Sequence, residues 1–128
     1  MDRLIDAAFV RALGNIPETI GDGLLTPHIE AACLKVAAQI GTLPTAGPDL
    51  ARAKDAAGCF AIAYALPVIN TFYLSEAAKL PRRIQETGDY RFYESDELIR
   101  LIKHWEDRGY NSLRAISRTS GSVGVIVI

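Results

Sequence analysis

The chain lacks a surplus of either charge. Its 128 residues carry 14 Lys+Arg against 15 Asp+Glu, a net charge of -1. A dedicated nucleic-acid binder would show a strong basic excess, so that class is set aside, and only a local basic patch is still allowed. Cysteine is scarce as well, with only Cys33 and Cys59. Both fall in apolar helical contexts, where buried free thiols are expected rather than a disulfide. A secretory leader is not written into the start either. Met1-Asp2-Arg3-Leu4-Ile5-Asp6 puts acids where basic and then apolar residues are needed. The expected setting is the cytoplasm, or something assembled there.

Reactive motifs are equally thin. There is no Gly-x-x-x-x-Gly-Lys phosphate loop, and Gly21-Asp22-Gly23 is too short for one and reads as turn chemistry. No serine sits in a nucleophile elbow. The chain has no Cys-x-x-Cys or His-x-x-x-His pair, and His28 and Cys33 miss the spacing that puts two ligands on one helix face. His104 beside Glu106 and Asp107 reads as a solvated charged face. The carboxylates are scattered and none lies within an apolar stretch. The expectation is a protein with no enzymatic activity, no metal and no cofactor.

What is present is helical patterning. Asp2 to Leu13 predicts a first helix with Leu4, Ile5, Ala8, Phe9, Ala12 and Leu13 as its apolar stripe. Thr26-Pro27 predicts the start of a second, with a hydroxyl cap followed by proline in the first turn. Ile29, Ala32, Cys33, Val36, Ala37 and Ile40 would be its buried face, and Gly41 its stop. Asp49 is expected to cap a long third helix that becomes apolar all round after Ala56, as a helix in the middle of a bundle does. Pro67 should kink or break it. The uncharged stretch from Ala56 to Ser75 approaches the length of a membrane span, but Pro67, Asn70 and Thr71 favour a buried central helix and no membrane contact. Ser95-Asp96-Glu97 opens a last helix with Leu98, Ile99, Leu101, Ile102 and Trp105 as its apolar face, interrupted at Gly109. No internal repeat or low-complexity tract occurs.

Three groups of residues stand apart from this core pattern. Lys79, Arg82 and Arg83 form the one compact basic group, inside an irregular stretch from Leu74 to Tyr93. They suit either a solvated loop or contact with a nucleic-acid backbone or an acidic neighbour. Tyr90, Phe92 and Tyr93 close that stretch and are candidate interface aromatics, as readily core as anchor. Thr119 to Ile128 is a Ser/Gly lead-in followed by Val123, Val125, Ile126, Val127 and Ile128, a β-prone run apolar on both faces. Such a run promotes edge-to-edge association unless a partner covers it. The expected architecture is therefore mainly α: a bundle of four to five helices over residues 1–118, with a long irregular loop, and an extended docking tail over 119–128.

The order of these features resembles a known family. Two short helices precede a long apolar helix ending Tyr64-Ala65-Leu66-Pro67-Val68-Ile69-Asn70-Thr71-Phe72-Tyr73. An irregular loop then leads to Tyr90-Arg91-Phe92-Tyr93-Glu94-Ser95, a charged amphipathic helix and a C-terminal tail. This pattern is similar to the head–tail connector (adaptor) proteins of tailed bacteriophages. The resemblance implies a structural virion protein, assembled in the host cytoplasm. It would form a homo-oligomeric ring, commonly of twelve copies, that joins the portal protein to a tail-side connector or terminator and surrounds the channel through which double-stranded DNA passes. It further implies that Val123 to Ile128 grip the portal, and that Lys79, Arg82 and Arg83 face the channel or a neighbouring subunit. The alternatives are a non-viral binding module whose apolar tail docks into a partner groove, and a small membrane protein spanning with residues 56–75.

Overall fold

A computed structural model describes residues 4–77 and 95–119. Among them are four α-helices and no strand: α1 Ala7–Gly14, α2 Asp22–Ile40, α3 Gly47–Ala77 and α4 Ser95–Thr119. Helix α3 is the centre, packing against α4 most extensively, then α2, then α1. The mainly α bundle expected from the sequence is what forms.

Each helix begins and ends for a local reason, not always the expected one. The Asp6 side chain accepts a 2.9 Å hydrogen bond from the Phe9 amide and caps α1, which therefore starts at Ala7 and not at Asp2. Asn15 closes α1 in the left-handed conformation, φ 53°. The stripe of α1 is rotated from the expected one: Val10 is fully buried, while Ala8 and Ala12 face out. Helix α2 starts four residues before Thr26-Pro27, at Asp22. The cause is Arg11. Its guanidinium bonds Asp22 through Nε (3.1 Å) and Nη2 (2.6 Å), and donates to the carbonyl oxygens of Pro17 (2.9 Å) and Ile20. The clamp fixes the connector, and Asp22 places a carboxylate in the positive first turn. Gly21-Asp22-Gly23 is thus a helix start rather than a turn, and the Thr26 hydroxyl donates back to the Asp22 carbonyl (2.9 Å) inside it. Gly41, φ 76°, ends α2 as expected.

Helix α3 runs from Gly47 through Pro67 to Ala77 without a break, and residues 74–77 belong to it rather than to a loop. Pro67 is exposed, so its ring is accommodated on the outside of the bundle, and the helix gives up one amide bond, the one to the Ala63 carbonyl. The Thr71 hydroxyl donates to the Pro67 carbonyl at 2.9 Å. From Ala56 to Ala63 every residue is buried, which is the all-round apolar stretch read from the sequence. Among the described residues one helix is long and apolar enough to cross a membrane, over Gly47–Tyr73, and 67% of its apolar window is buried inside the bundle.

Helix α4 is continuous from Ser95 to Thr119, so Gly109 does not interrupt it. Gly109 is buried against the Phe60 ring: a Cβ there would lie 2.9 Å from Cε1 and from Cζ. Glycine is the residue that lets the two backbones approach this closely. Of the expected apolar face, Leu98, Leu101, Ile102 and Trp105 pack on the core, but Ile99 is exposed. Leu113 and Ile116 complete the buried side of α4.

Candidate functional site

The α3–α4 seam carries the most developed polar chemistry among the described residues. Asp55, at the edge of the apolar run of α3, receives three donors. Arg108 Nη2 reaches Oδ1 at 2.8 Å, Ser112 Oγ reaches Oδ2 at 2.7 Å, and Cys59 Sγ lies 3.7 Å from Oδ2. The spacing explains the convergence. Asp55 and Cys59 share one face of α3, Arg108 and Ser112 share one face of α4, each pair one turn apart. These four residues were not singled out by sequence reasoning. The two i,i+4 pairs of matching polarity are the signal that could have found them.

Above this seam Phe60 is fully buried and meets Tyr110 edge-on, ring centroids 5.0 Å apart at 70°. Lys35 of α2 lays its Nζ over both rings, 5.1 Å from Phe60 and 5.0 Å from Tyr110. A hydrogen bond with the Tyr110 side chain is the main reason the Lys35 ammonium is held above its ordinary value. The contact joins α2, α3 and α4 at one level.

Cys59 is chemically quiet. Burial first, and then the Asp55 charge, push its thiol up to about 12. Because the thiolate is the nucleophile, a thiol reagent added to the native protein at pH 8 is expected to modify the half-buried Cys33 and spare Cys59, which should react only after unfolding. Intact-mass measurement reads this directly, and fast native modification of Cys59 would contradict it. The stability sign follows. Between the ordinary thiol value of 9.0 and about 12, the unfolded chain has released a proton that the native chain keeps. Stability therefore falls as pH rises through that window, and Cys59→Ala should lose that part of the slope in denaturant titrations at pH 8 and pH 10.

A second feature is a cleft of about 270 Å³ between the α1–α2 connector, α3 and α4, walled by Ile16, Leu66, Ile69, Tyr73, Leu101 and Trp105. Trp105 is half-buried here, with the Arg108 guanidinium 5.4 Å from its ring centre. His104 is exposed on the charged side of α4, and His28 is half-buried on α2. Among the described residues no three His, Cys, Asp or Glu side chains gather to hold a metal.

The residues that the sequence marks for partner contact all fall outside the described ones: Lys79, Arg82, Arg83, Tyr90, Phe92 and Tyr93 between α3 and α4, and Val123, Val125, Ile126, Val127 and Ile128 after α4. The helices do define where those segments are attached. Asp55 meets Ser112, while Leu66 and Tyr73 share a cleft with Leu101 and Trp105, so α3 and α4 run antiparallel. The chain leaves α3 at Ala77 and re-enters at Ser95 at one end of the bundle. It leaves α4 at Thr119 at the other end. At about 1.5 Å per residue, α3 spans about 46 Å and α4 about 37 Å.

Comparison with protein-family models, with curated proteins and with solved structures gives no match.

Proposed function

We propose that this chain is a non-catalytic structural subunit, a head–tail connector of a tailed bacteriophage that assembles into a ring between portal and tail. One observation carries the reading: the two segments bearing its docking chemistry are attached at opposite ends of a rigid helical bundle. The basic group Lys79, Arg82, Arg83 and the aromatics Tyr90, Phe92 and Tyr93 hang from the Ala77/Ser95 end, and the apolar run Val123 to Ile128 from the Thr119 end. A body stacked between two partners needs a contact at each end, and a body lining a DNA channel gains from a local cluster of cations even when its net charge is near zero. The ring around the channel, with the portal at one face and a tail-side protein at the other, is the assembly this arrangement serves.

The mass of the purified chain tests the reading. Mass photometry, alone and with a portal protein, is expected to show a closed oligomer or a portal-bound species, and a chain that stays monomeric in both conditions would sink it. Truncation after Gly121 should leave the helical domain folded, with its circular-dichroism signal intact, and abolish the assembly. Each tail binds weakly by itself, since burying five apolar side chains at roughly 1.5–3 kcal/mol each is offset by fixing the backbone at roughly 1–2 kcal/mol per residue. Many tails on one ring act together, so losing all of them should be decisive.

A further inference from the structure

Past Glu30, which is exposed at its edge, the outward face of α2 carries no charge up to Ile40, and Gln39 is its one exposed polar side chain. Leu34 is 72% exposed, more than any other large hydrophobic side chain among the described residues. Ala31 and Ala38, one turn to either side of it on the same face, are exposed too. Between Ala31 and Ile40 there is one charged residue, Lys35. Its ammonium is folded inward over the Phe60 and Tyr110 rings, so it does not wet this face. An amphipathic surface helix carries its charge outward; this half of α2 does not.

The same chain carries an apolar run that needs cover, and its tether brings it to this place. The Lys35–Tyr110 contact sets Leu34 level with Tyr110. Thr119, where α4 ends, is nine residues further on, about 14 Å along the axis. Passing to the outer side of α2, a helix about 10 Å across, brings the path to roughly 17–20 Å. An extended chain advances about 3.3 Å per residue, so from Thr119 the run Val123 to Ile128 lies within reach of about 13 to 30 Å, with Val125 at about 20 Å. The apolar depression beside Pro67, Val68 and Phe72 is further along the bundle, past the roughly 20 Å reach of Val125.

We propose that in the free subunit the run Val123 to Ile128 lies along the outer face of its own α2, over Ala31, Leu34 and Ala38, and is released when a partner takes it up. The contact covers an apolar helix face and an aggregation-prone segment with each other. It rests on the proposed function only in treating the tail as a segment that later docks elsewhere.

A crosslink tests it on the full chain, below the concentration at which any oligomer forms. In a Cys33→Ser, Cys59→Ala background, the pair Leu34→Cys with Val125→Cys is expected to oxidise within the monomer at least tenfold faster than the pair Thr71→Cys with Val125→Cys, whose first position is beyond reach. Equal rates would overturn the proposal, and so would a bond formed only between two chains, which would mean that a second copy covers α2. A second readout leaves the cysteines in place. Leu34→Asp should speed thermolysin cleavage of the tail at least tenfold with unchanged helical signal, and an unchanged rate would count against the contact. Both measurements are made on the monomer, so they stand or fall separately from ring assembly.

Discussion

Phe60→Ala is expected to cost about 3–5 kcal/mol, the range for a large aromatic removed from a packed core. Phe60 is fully buried, and three residues from two neighbouring helices close on its ring. Gly109 of α4 lies against one edge, Tyr110 meets it edge-on at 5.0 Å, and Lys35 of α2 covers it at 5.1 Å. The backbone of a continuous helix on each side cannot collapse into the space, so a cavity should persist. The edge-on aromatic contact adds about 0.5–1.5 kcal/mol beyond area. Urea unfolding followed by circular dichroism measures the loss, and a cost below about 1 kcal/mol would show that the three helices do not depend on this ring.

The opposite change, added bulk at Gly109, should be nearly as damaging. Alanine ordinarily stabilises a helix interior by about 0.5–1 kcal/mol relative to glycine. Here the new Cβ would sit 2.9 Å from two Phe60 ring carbons, a separation at which something must shift. The ring is wedged beneath Tyr110 and cannot swing away without opening the core. Gly109→Ala is therefore expected to be no more stable than the unaltered protein despite its better propensity, and Gly109→Val to lose about 2–3 kcal/mol through overpacking. A double-mutant cycle isolates the cause: Phe60→Leu should recover much of the Gly109→Val loss, and strict additivity of the two would place the strain elsewhere.

These two residues also show where the sequence is legible and where it is not. The 3.6-residue period identified Ile29, Ala32 and Val36 as core in α2, because burial on one face leaves that pattern directly, and the apolar run after Ala56 marked the stretch of α3 that is buried all round. Gly109 read as a break because a glycine needed for close approach and a glycine that ends a helix are the same letter; only the position of Phe60, 49 residues earlier, separates them. The start of α2 was misplaced for a similar reason. Thr26-Pro27 is a good local signal, but Arg11, from the preceding helix, organises Asp22 and the carbonyls before it. Ile99 matched the period and is nevertheless exposed, so periodicity marks a stripe without saying how far the partner helix extends over it. The Asp55 hub needed two helices to be brought together before its four residues became a set.

The antiparallel seam has a mechanical consequence. The chain is attached to its neighbours in sequence at opposite ends of α4, before Ser95 and after Thr119. A pull between those two points runs along the axis of α4, and any movement of α4 against α3 in that direction is a sliding, not a peeling. In peeling, contacts fail one after another at a moving front. In sliding, the Asp55 bonds to Arg108 and Ser112 and the seat of Gly109 on Phe60 are strained together and share the force. The bundle is thus stiffest in one direction, along the line joining the two ends of α4.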